Sequence, residues 1–340
     1  MPSITRRNLG LLAGSAALAG ARAAPAYAAD KIHVGVLPLT SHAPTIIAGA
    51  KGYFAAHGLD AEFVTFEAAQ PMAIAIASGD VDFGTTAITG GLISLADKGV
   101  VKVIGGALQE WPDVEGQKIL ASRPAHDKGL TSPDKLKGHS FGNTTAGSSF
   151  QYMAHKIAQK EGWPDSAITM RPLQSVPNVI AALKSGQVDA WSIVPNIADV
   201  LSKGPEVVQI GKISDFIPGY QVTVVFTSTA NVTKKPALVK RFLAAYEQGV
   251  NDYNAALVDK TMNPQETAEI VAMIHKHVYA SMPLDKADPR IRHGAMRINP
   301  GARMNLASIK DQLDWFKAEK MVSEGVTMQK LVDTSFVKAS

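Results

Sequence analysis

Cysteine is absent from all 340 residues of this sequence. Its absence excludes disulfide bonds, thiol catalysis, and metal or iron–sulfur centres held by cysteine. Neither a Gly-x-Ser-x-Gly nucleophile turn nor a Gly-rich phosphate loop ending in Lys-Ser/Thr occurs. No basic patch interleaved with aromatic residues is present, so the sequence does not predict nucleic-acid binding. These absences do not exclude a serine nucleophile that lies outside such a motif.

Histidine gives little support for a metal site. His275 and His277 lie two positions apart on a predicted helix, where such a pair points to different faces. His293 is isolated. We therefore predict no metal ligands and no cofactor.

The N-terminal segment has the features of an export signal. Thr5-Arg6-Arg7-Asn8-Leu9 is a twin-arginine pattern, the apolar stretch Leu9–Ala21 is too short to span a bilayer, and Ala26-Tyr27-Ala28 suits a signal peptidase. We expect residues 1–28 to be a twin-arginine signal peptide and the mature protein to be periplasmic. The alternative is a disordered start with a chance pair of arginines.

Removal of this segment changes both length and charge. It leaves 312 residues, enough for two compact domains, and it takes away three arginines, so the formal charge falls from +4 to +1. The basic character of the full sequence is therefore weak evidence for an acidic partner.

An internal repeat is the main feature of the rest of the chain. Ser78-Gly79-x-Val81-Asp82 returns 107 positions later as Ser185-Gly186-x-Val188-Asp189, and the similarity extends upstream of each copy. A β-α-β-α-β unit repeated at this spacing predicts two similar α/β lobes, and a pair of such lobes usually binds a ligand between them. Asp82 and Asp189 are predicted to serve local structure where helix meets strand.

The predicted fold is α/β and two-lobed, with each lobe a β-sheet flanked by helices. Two crossing segments join the lobes, one near residues 118–121 and one near 222–227, and a helical C-terminal tail is expected to pack on the first lobe. The domains predicted are a discontinuous lobe 1, residues 29–120 with 226–340, and a lobe 2, residues 121–225.

Candidate binding residues follow from one rule of open α/β sheets: ligands bind beyond the carboxyl ends of the strands. In lobe 1 the rule selects Thr40, Ser41, His42 and Gln70, and also Thr85 and Thr86 in a loop predicted after a third strand that ends at Gly84. Glu110 and Trp111, in the loop after the predicted fourth strand, are added for their chemistry. In lobe 2 the matching residues are Thr144, Thr145, Ser148, Ser149, Gln174 and Trp191.

The chemistry of this set suits a small anion. Several of the loops open helices, whose N-termini carry unpaired N–H groups and partial positive charge, and the hydroxyls add donors. Trp191 and Trp111 could form an apolar wall, and Glu110 could pair with an amine. Each residue has a plainer interpretation: helix capping for the serines and threonines, core packing for Trp191, and a solvated loop for His42.

An ordered set of motifs resembles a known family: Gly52-Tyr53-Phe54, Gly58-Leu59, Ser78–Gly84, Leu136-Lys137-Gly138, Val188-Asp189-Ala190 and Leu331–Val337. Over nearly all of residues 31–340 the chain resembles the periplasmic substrate-binding proteins of the nitrate/sulfonate/taurine (and thiamine-pyrimidine) ABC importers. The resemblance implies a non-enzymatic monomer that delivers a small molecule to an ABC permease and its ATPase, and meets the membrane only through that permease.

The ligand itself is left open by the resemblance, which spans nitrate, sulfonates, taurine and pyrimidines. Few basic residues occur in the predicted loops, so we expect a small organic molecule with one anionic group, preferably a sulfonate. The alternative is an enzyme on the same scaffold that acts on a small heterocycle or organic acid. The resemblance to pyrimidine synthases, however, implies a motif that contains cysteine, and this chain has no cysteine.

Overall fold

Two five-stranded sheets organise the computed structural model, which describes residues 29–339; the predicted signal peptide lies outside the described residues. The strands are β1 (Asp30–Val36), β2 (Leu59–Thr65), β3 (Phe83–Ala87), β4 (Val101–Gly106), β5 (Lys118–Ser122), β6 (Ser140–Asn143), β7 (Thr169–Pro172), β8 (Ala190–Ile193), β9 (Val207–Lys212) and β10 (Thr223–Ser228). Their order is β2-β1-β3-β10-β4 in the first sheet and β7-β6-β8-β5-β9 in the second. The two-lobed fold predicted from the repeat is confirmed.

Helices cover both sheets. They are α1 (Ala43–Ala50), α2 (Tyr53–Ala56), α3 (Ala69–Ser78), α4 (Gly90–Asp97), α5 (Arg123–Asp127), α6 (Ser149–Lys160), α7 (Val176–Ser185), α8 (Pro195–Ser202), α9 (Thr229–Lys234), α10 (Pro236–Tyr253), α11 (Pro264–His275), α12 (Leu284–His293), α13 (Leu306–Ala318) and α14 (Met328–Leu331). Within residues 29–339, no helix is both long enough and apolar enough to cross a membrane.

The repeated Ser-Gly pair marks the end of the same helix in each lobe. Helix α3 ends at Gly79 and α7 ends at Gly186, and both glycines have left-handed backbone angles, with φ of 89° and 75°. Side chains with a Cβ rarely adopt this conformation, so glycine at these positions stops the helix and turns the chain toward the next strand.

The repeated aspartate ties that strand to the first strand of its sheet. Asp82 Oδ2 accepts a hydrogen bond from the backbone N–H of His33 at 2.9 Å. In lobe 2, Asp189 Oδ2 accepts bonds from the backbone N–H and the hydroxyl of Ser140, both at 2.8 Å. The structural role predicted for both aspartates is confirmed.

Each sheet receives one antiparallel strand from a crossing connection. Strand β5 pairs with β8 and β9 in the second sheet, and β10 pairs with β3 and β4 in the first. The two connections meet at a bridge between Gln109 and Gln221. The lobe boundaries that we propose, after residues 120 and 225, fall inside these two crossing strands.

One local prediction is wrong. Thr85 and Thr86 were expected in a loop, but β3 continues through both of them to Ala87. The reason is the returning strand β10, which pairs with this stretch through Val225 opposite Thr85 and Val224 opposite Thr86. A strand contributed from far along the chain thus extends β3 beyond its apolar segment.

The helical tail contacts both lobes. In lobe 1, Phe242 of α10 stacks on Phe83, with ring centroids 4.0 Å apart. Helix α13 reaches lobe 2, where Asp311 accepts a hydrogen bond from the Tyr152 hydroxyl and Trp315 packs on the same ring at 5.4 Å. The tail therefore packs along the seam between the lobes in addition to covering lobe 1.

Candidate ligand-binding cleft

A cleft opens between the lobes at the carboxyl ends of the strands in both sheets. Its inner part, which we call the inner compartment, is a cavity of about 70 Å³. Six of the fourteen residues predicted from the sequence line it: Ser41, His42, Thr86, Thr144, Ser148 and Ser149. Lobe 1 supplies the first three and lobe 2 the others, so the structure brings predicted residues of both copies of the repeat together.

The remaining predicted residues of lobe 1 lie just behind this surface. The Thr40 hydroxyl donates to Asn196 Oδ1 at 3.1 Å, across the interface between the lobes. Gln70 Oε1 accepts from Thr89 at 3.1 Å. Thr85 is buried in β3, with its hydroxyl toward that of Tyr246.

The remaining predicted residues of lobe 2 are also set back. Trp191 is fully buried and packs on Phe150, with ring centroids 5.4 Å apart, so Phe150 rather than Trp191 forms the aromatic part of the wall. Thr145 accepts a bond from Asn143 Nδ2 through its carbonyl oxygen at 2.7 Å. Gln174 is exposed to solvent and has a φ of 74°.

Glu110 and Trp111 lie in the first crossing connection. Trp111 Nε1 donates to Asn299 Oδ1 at 3.2 Å, outside the cleft. Glu110 is buried, and its Oε1 accepts from the backbone N–H and the side-chain amide of Gln117 at 3.0 and 3.3 Å. Burial raises the pKa of Glu110 to about 7, against the opposing effects of the Gln117 bonds and of Lys118. Glu110 thus supports Gln117, which does line the inner compartment.

His42 is the lining residue with the most unusual environment. Its side chain is buried, and burial lowers its pKa to about 3, so the imidazole is neutral at physiological pH. Its Nδ1 has no hydrogen-bond partner among the described residues. The Ser148 hydroxyl is likewise buried and unpartnered. An unsatisfied buried polar atom costs about 1–3 kcal/mol, which a hydrogen bond to a bound group would recover.

Two of the helix N-termini at the inner compartment lack a side-chain cap, and a helix N-terminus carries a partial positive charge. Helices α3 and α6 begin here with Ala68 and Ser148 at their N-caps, and neither makes a side-chain capping bond. Their first N–H groups therefore keep their capacity for an anion. Among the described residues that line this compartment, none is Lys or Arg.

A second cavity adjoins the first. This outer compartment has a volume of about 310 Å³ and shares Leu37, Leu39 and Val176 with the inner one. It too has walls from both lobes, together with Tyr279 from the helical tail. Sequence reasoning missed the whole outer compartment, and also Phe150, Thr89 and Gln117 of the inner one. Phe150 could have been found as the direct neighbour of Ser149 at the start of α6, whereas Gln117 and Tyr279 come from segments without a motif.

Metal ligands do not cluster in this region or elsewhere in residues 29–339, where no group of three or more His, Cys, Asp or Glu could hold an ion.

Comparison with solved structures shows the same fold. The alkanesulfonate-binding protein SsuA from Xanthomonas axonopodis pv. citri, bound to MOPS, has a TM-score of 0.70 and 18% identity, covering 90% of this chain and 98% of its own. The periplasmic nitrate-binding protein NrtA from Synechocystis PCC 6803 has a TM-score of 0.61 and 13% identity, covering 79% of this chain and 73% of its own.

Relatives found by sequence have less specific names. A protein from Brucella abortus (strain 2308), named only as a candidate binding protein, is 27% identical over 234 residues, which is 68% of this chain and 67% of the relative. The model of the family described as NMT1/THI5 like matches residues 39–256. The match covers more than half of the chain and includes most of both lobes, in agreement with the resemblance found from the motifs; the chain belongs to the NMT1/THI5-like family.

Proposed function

We propose that this protein is the exported solute-binding component of an ABC importer, which holds a small organic anion between its lobes and delivers it to a membrane permease. The observation that carries the proposal is the inner compartment. There His42 and Ser148, residues of different lobes whose Nδ1 and hydroxyl are buried without a partner, line one cavity at which helices α3 and α6 begin without a side-chain cap. The solved structures of the same fold named above are binding proteins for a sulfonate and for nitrate, which supports the same role here.

The lining favours a ligand with a single anionic group. Helix N-termini each act as a fraction of a positive charge, whereas a multiply charged anion would need cationic side chains to offset its desolvation. The described lining residues of the inner compartment include no such cation. A sulfonate or a carboxylate head group meets these conditions, and a sulfonate remains our preferred ligand.

A thermal-shift screen of residues 29–340 tests binding. The panel contains taurine, alkane and aryl sulfonates, nitrate, aromatic carboxylates and thiamine pyrimidines, and the protein is first unfolded and refolded to release any ligand carried through purification. A ligand at 100 times its dissociation constant stabilises a protein by about 2.7 kcal/mol, which gives a clear rise in Tm. NMR of the compound after incubation distinguishes binding from turnover. Intact ligand supports the proposal, and conversion to product would favour an enzyme.

A pair of serine variants links binding to this cleft. Ser148→Ala removes the unpartnered hydroxyl and should lower affinity about tenfold or more, because hydrogen bonds to charged groups are worth more than neutral ones. Ser228→Ala is the matched control: its hydroxyl caps α9 by accepting from Asn231 N at 3.1 Å, far from the cleft. It should lower the free energy of unfolding by about 1 kcal/mol and leave affinity unchanged. Equal affinities for the two variants would contradict the proposed site.

Export by the twin-arginine route belongs to the same proposal. Cell fractionation of the full chain should find the protein in the periplasm. A variant with Arg6→Lys and Arg7→Lys should remain in the cytoplasm, because this route reads the arginine pair. Periplasmic recovery of that variant would show that another export route operates.

A further inference from the structure

The inner compartment is too small for most organic molecules. Its volume is about 70 Å³, and an apolar cavity of about 150 Å³ is what accommodates one benzene molecule in an engineered protein. The inner compartment therefore has room for a head group but not for an aromatic ring. The rest of any larger ligand has to lie in the adjoining outer compartment, whose volume is about 310 Å³.

The outer compartment is apolar. Nine of its eleven lining residues are Leu, Ile, Val or Pro. One of the other two, Tyr279, uses its hydroxyl in hydrogen bonds with Asn196, at 2.9 Å from Nδ2 and 3.2 Å to the carbonyl oxygen, so its ring is what remains for contact. Leu39, Val176 and Ile180 are only partly buried. An apolar group placed here would remove this surface from water, which is favourable in proportion to the area covered.

Glu67 is the one charged residue among the described residues of this lining, and it is exposed. A second anionic group on the far part of a ligand would lie near this carboxylate and be repelled by it. The compartment therefore disfavours dicarboxylates and disulfonates.

From the two compartments we infer that the ligand is an amphiphilic mono-anion. Its compact head occupies the inner compartment, and its apolar body, larger than one benzene ring, occupies the outer one between Leu39 and Ile180. The inference rests on the proposed function, since it takes the anionic head from there and adds the body.

Two ligand series with constant heads and growing bodies test it. One series is methanesulfonate, benzenesulfonate and naphthalene-2-sulfonate; the other is acetate, benzoate and 2-naphthoate. Affinity is measured by calorimetry on residues 29–340. Each buried CH₂ is worth about fourfold in affinity, so each step in body size should raise affinity about tenfold or more. Naphthalene-2,6-disulfonate should bind at least about tenfold more weakly than the monosulfonate, and Glu67→Gln should reduce that difference.

A blocking variant locates the body. Ile180→Trp fills the outer compartment from a partly buried position and should abolish the gain from phenyl to naphthyl while leaving the methyl compounds unaffected. Ile74→Trp is the control, since Ile74 is on α3 and 54% exposed, away from both compartments.

The outcomes separate the two hypotheses. Binding that does not strengthen with body size, or naphthyl affinity that is unchanged in Ile180→Trp, overturns the amphiphile and leaves the proposed function standing. Failure of every compound, the methyl ones and the whole screening panel included, counts against the proposed function itself.

Discussion

The two lobes are alike in their scaffold and different in the residues that they present to the cleft. When 107 is added to the residue numbers of lobe 1, α3 corresponds to α7 along its full length, and the end of β1 corresponds to the end of β6. The strand orders correspond, and each sheet takes its antiparallel strand from a crossing connection. The same shift pairs His42 with Ser149, Leu37 with Thr144, and Thr86 with Ile193, all of which line the inner compartment.

The pattern of these differences is complementary. Lobe 1 places an aliphatic side chain, Leu37, after its first strand, where lobe 2 places the hydroxyl of Thr144. Near the end of the third strand the assignment is reversed, with Thr86 in β3 and Ile193 in β8. A cleft built from two identical surfaces would offer one chemistry twice. This one offers hydroxyls and aliphatic groups from opposite sides, as an amphiphilic ligand requires. The scaffold positions are set by helix stops and strand pairing, which leaves the cleft positions free to differ.

The largest expected effect comes from copying a lobe 2 residue into lobe 1. The folded-state pKa of His42 is about 3, lowered by burial from 6.5, so the unfolded chain takes up a proton that the folded chain excludes. The part of the stability that depends on His42 should therefore be complete above pH 6.5 and be lost as the pH drops toward 3, by up to about 5 kcal/mol. His42→Ser, which reproduces Ser149, should remove this loss. Urea unfolding between pH 4 and 7 measures it, and an unchanged pH slope in the variant would contradict the assignment.

The next effect has the opposite sign and comes from the crossing connection between the lobes. Burial raises the pKa of Glu110 from 4.5 to about 7, so the folded state holds a proton that the unfolded state has released. The part of the stability that depends on Glu110 should be lost as the pH rises from about 4.5 to about 7, by roughly 3 kcal/mol. Glu110→Gln should abolish that fall, with stability measured by the same urea titrations.

These two contributions oppose each other between about pH 4.5 and 6.5. The wild-type chain should therefore show a shallow pH dependence in that range, and each single variant should reveal the slope of the residue that remains. A combined His42→Ser, Glu110→Gln variant is the control and should be as shallow as the wild type. The two single variants should have pH slopes of opposite sign, so parallel slopes would contradict the assignment of the pH dependence to these two residues.

The repeated aspartates allow a direct comparison of the two scaffolds. Asp189 accepts two hydrogen bonds from Ser140, whereas Asp82 accepts one from His33. Asp189→Ala should lower the free energy of unfolding by about 2–3 kcal/mol and Asp82→Ala by about 1 kcal/mol, since each leaves a backbone N–H without its partner. Denaturant unfolding gives both values. Ser140→Ala should account for part of the difference, and equal losses for the two aspartates would show that the extra bond contributes nothing.

Sequence patterns predicted the parts of the molecule that are governed by local chemistry. Gly79 and Gly186 stop helices because of their backbone conformation, and the position of Ser148 at a helix start follows from the strand before it. Residues placed by distant segments were missed. Thr85 entered a strand because β10 pairs with it, and Tyr279 reached the outer compartment from the helical tail. Trp191 illustrates a different difficulty: a large apolar residue beside a predicted site can equally fill the core, and here it is fully buried.

The smallest expected effect concerns a position at which the lobes use equivalent residues for different purposes. In lobe 1, Thr89 caps α4 by accepting from Leu92 N at 3.0 Å. The shift of 107 pairs it with Asn196, which instead reaches across to lobe 1 and the tail, accepting from Thr40 and donating to the Tyr279 hydroxyl. These bonds join the lobes only when they are together, so they should stabilise the closed cleft.

Asn196→Ala should therefore weaken ligand binding about tenfold, mainly through faster dissociation, because an open cleft releases its ligand more readily. Stopped-flow dissociation of a bound ligand measures this. Asn178→Ala is the matched control, since the Asn178 side chain bonds to Leu173 O within lobe 2 at 2.9 Å. Asn196→Thr, which copies lobe 1, should behave like the alanine variant, because a threonine side chain is too short to replace both bonds of the amide. If Asn196→Ala and Asn178→Ala release ligand at the same rate, the bonds across the lobes do not control closure, and the tail helix α13 becomes the better candidate.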